Sequence, residues 1–277
     1  VNIVVNAAVT TASANNVTAL NALMSATTGN VTATVSGDGA ELDGLQANSG
    51  NNQVLTITVD DAMTGSAGVT SLNAIAASTS GTVTAAAVSG NSADLASLTA
   101  SGTSATQAYT ITVDDATTVD NGAAIAAATG AGTVNFSAGG VSDVYAKIIT
   151  STALTANMQA VDAKDADVNV AITDTVVVDA AAATALNTLR DDTNGTTGQV
   201  TATINGTAAV LATLDAASAS DSALTITVND VATAAEGAAI VAATDSATVD
   251  FSAAGVSDSF AELTNGTAVS AEMQLID

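Results

Sequence analysis

The side chains with the most potential for chemistry are acidic residues that follow three copies of a Thr-Ile-Thr-Val segment. If the copies form neighbouring strands, the carboxylates lie along one rim of a sheet, about 5 Å apart from strand to strand. Carboxylates at that spacing repel one another, and a hard cation with oxygen ligands, such as Ca²⁺, relieves the repulsion. The candidate calcium ligands are Asp60, Asp61, Asp114, Asp115 and Asp230.

The same aspartates have a structural interpretation as helix caps. An aspartate directly before a helix accepts hydrogen bonds from the backbone N–H groups of the first turn. The Gly-Gly-x-Gly-x-Asp nonapeptide, which binds calcium in parallel β-helices, does not occur in the chain. Capping and calcium binding both stay open, and Ca²⁺ is the one cofactor that the sequence suggests.

Catalytic chemistry has few candidate groups in this chain. Histidine and cysteine are absent, which excludes His-dependent triads, thiol chemistry and histidine-bearing metal sites. The acidic residues are spread over repeat-equivalent positions and do not converge with aromatic residues in one pocket, as the carboxylate pair of a glycosidase would. We therefore expect that the protein is not an enzyme.

The charge balance argues against two classes of partner. Acidic residues number 27 against three basic residues, and the formal net charge is −24. A field of this sign repels nucleic acid and anionic lipid, so we expect neither as a partner, and cations are the natural ligands. No run of about 18 apolar residues occurs, so we also predict no insertion into a membrane.

Threonines alternate along the strand-like segments and form a second candidate surface. Alternation places both threonines of each Thr-x-Thr motif on the outer face of its strand. A flat array of threonines is suited to bind ice or a crystalline polysaccharide, but β-branched residues are also ordinary surface residues of strands. The motifs are Thr32/Thr34, Thr56/Thr58, Thr82/Thr84, Thr110/Thr112, Thr201/Thr203 and Thr225/Thr227, and Asn135 and Asp250 interrupt the series.

These motifs recur because the chain is built of repeats. Residues 108–162 return 115 positions later as residues 223–277, with more than half of the positions identical. Residues 31–62 match residues 200–231 at an offset of 169. A sequence of copies is typical of an elongated array in which each unit contacts its neighbours.

Each repeat switches from an apolar period of two to a period near 3.6, which is the pattern of a strand followed by a short helix. Leucines at i and i+3 put two side chains on the core face of each predicted helix. The pairs are Leu20/Leu23, Leu42/Leu45, Leu95/Leu98, Leu186/Leu189 and Leu211/Leu214. Because a helix returns the chain after each strand, successive strands must be parallel. The pattern predicts an α/β fold, a leucine-rich-repeat-like solenoid of about ten strand-helix units with a parallel sheet.

One connection, residues 141–167, is longer than the others and is predicted to hold two helices. It ends in a charged run at residues 162–167, which we interpret as a solvated turn, with a cation site as the alternative. The run separates two superrepeats. On this basis we predict two domains, residues 1–167 and residues 168–277.

The two ends of the chain are related by the same internal homology. After Asp162 the first superrepeat continues to Val168-Asn169-Val170, and the matching continuation for the second superrepeat is Val1-Asn2-Ile3. Neither end shows the polar cap that closes a monomeric solenoid, so we predict that copies stack head to tail. The alternative is a fragment of a longer repeat region whose caps lie outside it. The predicted assembly residues are Val1, Ile3, Val5, Met273, Leu275 and Ile276.

Two repeated segments support a comparison with a known group of proteins. They are Leu-Thr-Ile-Thr-Val-Asp/Asn-Asp, at residues 55–61 and 224–230, and Ala-Ala-Ile-Ala/Val-Ala-Ala-Thr, at residues 123–129 and 238–244. With the Ala/Thr/Val/Asp-rich composition, they resemble the repeat regions of cyanobacterial and proteobacterial S-layer and haemolysin-like proteins, which are exported by type I secretion. This resemblance implies an exported coat, filament or adhesin, often calcium-dependent.

The sequence therefore predicts an extracellular, cell-surface structural protein that self-assembles end to end into a filament or surface layer. Its predicted partners are copies of itself, with divalent cations in addition. The alternative functions are an adhesin-type binding module for a cation, a glycan or ice, and a fragment of a larger secreted calcium-binding repeat protein. Continuity of the sheet across chain boundaries favours assembly, whereas a flat and uninterrupted threonine face favours binding.

Overall fold

The computed structural model describes residues 1–11, 14–48, 53–103, 105–136, 139–192, 198–217, 222–245, 248–251, 255–265 and 268–276. The chain divides into two compact units, Val1–Gly139 and Gly140–Asp277. Both units combine short helices with a parallel sheet, so the predicted α/β class is confirmed. The boundary at residue 139 reflects packing, whereas the predicted boundary at residue 167 reflects sequence repeats and stays a prediction.

In the described part of the first unit, the chain forms eight strands and five helices. The strands are β1 (Ile3–Val4), β2 (Val9–Thr10), β3 (Val31–Gly37), β4 (Gln53–Val59), β5 (Met63–Thr64), β6 (Thr82–Gly90), β7 (Thr106–Val113) and β8 (Val134–Asn135). The helices are α1 (Ala14–Ser25), α2 (Gly39–Leu42), α3 (Gly65–Ala77), α4 (Ser92–Leu95) and α5 (Val119–Ala128). The strands form one sheet in the order β1-β3-β4-β6-β7-β8, with β2 beside β3 and β5 beside β6. Neighbouring strands are parallel, as predicted.

The described residues of the second unit form nine strands and seven helices. The strands are β9 (Val141–Asp143), β10 (Ile149–Thr150), β11 (Ala153–Leu154), β12 (Val170–Val178), β13 (Val200–Gly206), β14 (Ser222–Val228), β15 (Val249–Asp250), β16 (Thr264–Asn265) and β17 (Ala268–Val269). The helices are α6 (Tyr145–Ile148), α7 (Ala156–Asp162), α8 (Ala180–Asp192), α9 (Ala208–Leu211), α10 (Ala234–Ala242), α11 (Phe260–Leu263) and α12 (Ala271–Ile276). A parallel sheet has the order β15-β14-β13-β12-β9.

Alternation of apolar and polar residues explains the main strands. In β3, Val31, Ala33 and Val35 are buried, while Thr32 and Thr34 between them are exposed. Of the twelve threonines in the Thr-x-Thr motifs, nine are exposed and three are half-buried. The prediction that these threonines lie on the outer face is therefore confirmed.

Three of the predicted helical patches form only one helical turn. α2, α4 and α9 are each four residues long, and the second leucine of each predicted i, i+3 pair lies past the helix end. The backbone turns there instead, because the N–H of Leu45 donates to the carbonyl of Leu42 at 3.0 Å, and Leu98 bonds to Leu95 in the same way. Both leucines of each pair are buried, so the shared core position is kept although the helix is not.

The long connection at residues 141–167 contains α6 and α7, in agreement with the two predicted helices. Between them lies a hairpin that was not predicted, in which β10 and β11 pair antiparallel with Ile149 opposite Leu154. A second hairpin, β16 with β17, places Thr264 opposite Val269. The prediction that successive strands are parallel is therefore wrong for these hairpins. Parallel strands need a connection of about a dozen residues, and the connections in the hairpins are much shorter.

The sequence repeats are also structural repeats. β3, α2 and β4 recur as β13, α9 and β14, and every boundary moves by 169 positions, as from Val31 to Val200. The elements from α6 to β11 recur as α11 to β17 at an offset of 115, as from Tyr145 to Phe260. Positions related by these offsets can therefore be compared as equivalent places in the fold.

Candidate functional site

The five aspartates of the predicted acidic rim follow β4, β7 and β14 and are exposed. The prediction that they line one rim at a spacing of about 5 Å is wrong, because β6 lies between β4 and β7 and β14 belongs to the other sheet. Three of these aspartates accept a hydrogen bond, through a carboxylate oxygen, from the backbone N–H at the start of a four-residue helix. The pairs are Asp61 with Gly39 of α2 at 2.8 Å, Asp115 with Ser92 of α4 at 2.7 Å, and Asp230 with Ala208 of α9 at 2.6 Å.

This capping joins neighbouring strand-helix units and does not lie within one of them. The capped helix lies 22 or 23 residues before the aspartate, whereas the sequence suggested a cap on the helix that follows. The register explains the difference, because Val59 at the end of β4 pairs with Gly37 at the end of β3, directly before α2. Asp38, in the N-cap position of α2, makes no side-chain cap bond. The carboxylate of Asp61 therefore ties one strand-helix unit to the unit before it.

The calcium prediction rests on the same five aspartates, which we continue to call the rim aspartates. The backbone N–H of Asp60 bonds to the carbonyl of Gly37 at 3.0 Å, and its side chain lines a cavity of about 280 Å³ together with Asp38 and Glu41. Within the ranges that the structure describes, no group of three or more acidic side chains is arranged to hold a metal ion. The assignment of calcium to the five rim aspartates stays a prediction.

Asparagines form a second set of links between strand-helix units, and these links were not predicted. Asn73 of α3 donates from Nδ2 to the carbonyl of Ser97 at 2.9 Å and accepts with Oδ1 from the N–H of Thr99 at 2.7 Å. Asn21 and Asn187 make equivalent pairs of bonds to the backbone 23 to 28 residues later. An amide side chain suits this position because it both donates and accepts. The available signal was the Leu-Asn dipeptide, which recurs in α1, α3 and α8.

Buried threonines just after two helices bond back to the strand of the same strand-helix unit. The Thr79 hydroxyl accepts from the N–H of Leu55 at 2.7 Å and donates to the carbonyl of the same residue at 2.9 Å. Thr129 bonds to Tyr109 in the same way, at 2.9 and 3.0 Å. The pairing of β4 with β6 begins only at Ile57, so Thr79 satisfies the backbone of β4 where its neighbour strand has not yet begun.

The first candidate assembly surface is the edge of β1 with an apolar groove beside it. β1 is an edge strand that pairs with β3. Val1 is 95% exposed and Val4 65% exposed, while Ile3 and Val5 are half-buried. We name the adjoining cavity, of about 240 Å³, the N-terminal groove. It is lined by Val5, Val9, Asn16, Ala19, Leu20 and Leu23.

The equivalent place in the second superrepeat is covered. β1 and β2 together correspond to β12, because Val9 pairs with Val35 as Val176 pairs with Ile204. In both places the segment has two additional residues relative to the strand that follows it. The covering residues are in segment 140–162, since β9 pairs with β12 and β11 lies against α8. At an offset of 167 positions in the strands and 166 in the helices, the equivalents of the six groove residues are all buried, whereas in the groove itself Leu20 alone is buried. The equivalents are Ile172, Val176, Ala182, Ala185, Leu186 and Leu189.

The second candidate assembly surface lies in segment 255–276, and we name it the C-terminal face. Phe260 is 78% exposed, Leu275 61% and Val269 52%, and Met273 and Ile276 are half-buried. At an offset of 115, three of these residues have buried equivalents. The equivalents are Leu154 for Val269, Met158 for Met273 and Val161 for Ile276.

The six predicted assembly residues all lie on these two surfaces, three on each, and none of them is buried.

Among the helices in the described ranges, none is both long and apolar enough to cross a membrane. Comparison with protein-family models, with curated proteins and with solved structures finds no match. The internal repeats therefore serve as the reference for both surfaces.

Proposed function

We propose that the protein is a structural repeat protein whose copies associate end to end to form a filament or a surface layer. The difference in burial between equivalent residues is the observation that supports this most directly. Side chains are buried where segment 140–162 covers segment 168–190, but their equivalents in segments 1–23 and 255–276 are mostly exposed or half-buried. A second copy of the chain carries the segment that would cover each surface.

Within each of the two compact units, we propose a leucine-rich-repeat-like solenoid of strand-helix units. Support comes from the parallel pairing of successive long strands and from the polar links that recur between neighbouring strand-helix units. In a solenoid each unit is completed by its neighbours, so an uncovered unit presents an apolar face and a strand edge together. Association end to end satisfies both at once.

The exposed apolar residues set the scale of the association energy. Full burial of one large apolar side chain gains about 1.5–3 kcal/mol. Five such side chains on the two surfaces are more than half exposed, namely Val1, Val4, Phe260, Val269 and Leu275. Because these side chains are 52–95% exposed, their burial gains at most roughly 5–10 kcal/mol, against about 4–15 kcal/mol for the lost freedom of two molecules. We therefore expect reversible association that depends on concentration.

The proposed location is the cell exterior, as the resemblance to secreted repeat proteins implies. A net charge of −24 suits that location, because an acidic surface stays soluble where external salt screens its self-repulsion. In this proposal the protein acts by forming a continuous array and not by catalysis.

Sedimentation velocity over a range of concentrations, with electron microscopy of the same samples, tests the proposal. We expect oligomers that grow with concentration and linear or layered particles. Val4→Ser should weaken association, whereas Val177→Ser should not, because Val177 is equally apolar and 73% exposed but lies outside both surfaces. Monomers at every concentration up to about 1 mM, or equal effects of the two substitutions, would overturn the proposal. A stable monomer would instead favour further repeats of a longer chain as the cover of both surfaces.

A further inference from the structure

We infer the register of the contact between copies. Residues 256–258 of one copy pair in parallel with residues 3–5 of a second copy, with Val256 opposite Ile3, and the hairpin β16–β17 of the first copy sits in the N-terminal groove of the second. This inference rests on the proposed function, since it specifies the surface through which copies associate. The occupant of the groove is the C-terminal face of another copy of this chain.

The template is a contact inside the second unit. β9 pairs in parallel with β12, with Val141 opposite Val170 and Asp143 opposite Ile172. The N–H of Val141 donates to the carbonyl of Asn169 at 2.7 Å. Moving Val141 forward by 115 positions and Val170 back by 167 positions gives Val256 opposite Ile3. The carbonyl of Asn2 is then the acceptor for the N–H of Val256.

The accepting strand has the same local structure in both places. Oδ1 of Asn169 accepts from the N–H of Gln199 at 2.9 Å, and Oδ1 of Asn2 accepts from the N–H of Asn30 at 3.0 Å. Both asparagines therefore hold the strand to its following neighbour in the same way. The other edge of the strand carries β9 in the covered case and is a sheet edge at β1.

The donating segment has a matching open space. Gly140 and Gly255 are equivalent and both have a positive φ, 65° and 74°. A Cβ at Gly140 would lie 2.3 Å from the carbonyl oxygen of Asn169, so the strand approaches this glycine closely. Beside Gly255 no heavy atom of the described residues lies within 4 Å of the same point. The backbone of Asn2 from a second copy fits the space that Asn169 fills beside Gly140.

The hairpin supplies the apolar part of the contact. In the covered case Leu154 of β11 is 4% exposed and β11 lies against α8. The equivalent residue, Val269 of β17, is 52% exposed, and the equivalent of α8 is α1, which forms one side of the N-terminal groove. Val269 therefore occupies the groove beside Leu20 in the contact between copies.

Two departures make the contact between copies weaker than the internal one. Oδ1 of Asp174 accepts from the N–H of Tyr145 at 2.6 Å, and the equivalent of Asp174 is Ala7, which has no acceptor side chain. The smaller Val269 also replaces Leu154. The polymer contact can therefore open under conditions in which each unit stays folded.

Disulfide cross-linking tests the register. The chain has no cysteine, so introduced thiols report on the designed pair. A mixture of Ile3→Cys and Val256→Cys should give covalent dimers under mild oxidation, and neither variant should do so alone. A mixture of Val5→Cys and Val256→Cys is the control, because the shift of about 7 Å along the strand takes the Cα atoms beyond disulfide range. The register would be overturned, while the proposed function stands, if the control pair cross-linked faster than the designed pair. The same holds if neither pair cross-linked in samples that sediment as polymers.

A second measurement tests the hairpin and does not need a strand substitution. Val269→Asp should weaken association at least tenfold by sedimentation, because it places a charge in an apolar groove. Ala268→Asp should change it by less than about twofold, since the equivalent Ala153 is exposed even in the covered case. Circular dichroism checks that both variants fold. Equal effects would exclude the hairpin from the contact, and monomers in the unsubstituted protein would refute the proposed function itself.

Discussion

At the scale of single residues, the rim aspartates have an effect that can be isolated. Asp61→Ala is expected to lower the free energy of unfolding by about 0.5–2 kcal/mol, because α2 loses the acceptor at its first N–H. Asp60→Ala is the matched control, since Asp60 is exposed at the same strand end and the change in net charge is the same. Urea denaturation followed by circular dichroism measures both. Equal losses would contradict the inter-unit cap.

The two tyrosines predict an alkaline limit to stability. Burial raises the pKa of Tyr109 above its ordinary value of 10.0. The pKa of Tyr145 is raised by burial and, in addition, by the charge of Asp179. The unfolded chain therefore loses these protons first as pH rises. Stability is fully present below about pH 10 and then falls, by up to about 1.4 kcal/mol per pH unit for the buried Tyr109 and by less for the partly exposed Tyr145, until the folded pKa is passed.

Urea midpoints at pH 9, 10 and 11 measure this fall, and tyrosinate absorbance reports ionisation directly because the chain has two tyrosines and no tryptophan. Tyr109→Phe removes one of the two contributions, so its midpoint should depend less on pH. If the folded protein titrates both tyrosines near pH 10, burial does not protect them.

The direction of the aspartate bonds could not be read from the sequence. The Thr-Ile-Thr-Val-Asp pattern indicates that Asp61 follows a strand and precedes a helix. It does not indicate that the start of an earlier helix is closer in space, since that depends on the register of β3 and β4. That the five aspartates follow strands was predictable from the sequence, but the order of those strands in the sheets and the partners of the aspartates were not.

At the scale of elements, a close approach controls the packing of α3. A Cβ on Gly68 would lie 2.7 Å from the backbone carbonyl carbon of Met63, which cannot move like a side chain. Gly68→Ala should therefore destabilise the protein by about 1–3 kcal/mol, although alanine is the better helix former by about 1 kcal/mol. Thermal or urea unfolding measures the sign of the change.

The control for this prediction is Ala67→Gly at the neighbouring exposed position of α3. It should cost about 1 kcal/mol or less, through helix propensity alone. A stabilising effect of Gly68→Ala would show that Met63 and α3 separate easily.

The long strands were predictable because they alternate. Threonines face outward and valine, leucine or isoleucine inward over five or more residues, as in β3 and β4. The hairpins β10–β11 and β16–β17 were not predictable, because strands of two residues show no period. The single-turn helices α2, α4 and α9 were overestimated, since a leucine pair at i and i+3 is satisfied equally by a turn.

At the scale of the whole molecule, charge opposes self-association. Each copy carries a formal net charge of −24, and the screening length falls from about 30 Å at 0.01 M salt to about 3 Å at 1 M. We therefore expect association to strengthen as NaCl is raised from about 0.01 to 0.5 M. Sedimentation at fixed protein concentration measures the effect. Weaker association at high salt would indicate that pairs of opposite charge hold the copies together, contrary to the apolar contact.

Calcium is distinguished from general screening by matched ionic strength. If the rim aspartates bind Ca²⁺, CaCl₂ should raise the melting temperature more than NaCl of equal ionic strength, and the difference should shrink in Asp60→Asn. Equal shifts with the two salts in the unsubstituted protein would refute the rim site, because a screening ion needs no fixed ligands.

The inter-unit links also bear on how such a gene can change. Since Asp61 and Asn73 each bond to a neighbouring strand-helix unit, a duplicated stretch of whole units brings its own caps and bridges to the new joins. Segments 31–62 and 200–231 have diverged in sequence and yet keep identical element boundaries. Unequal recombination can therefore lengthen or shorten the protein in steps of whole units. Heritable variation in the number of units then becomes a route by which selection adjusts the length of the protein.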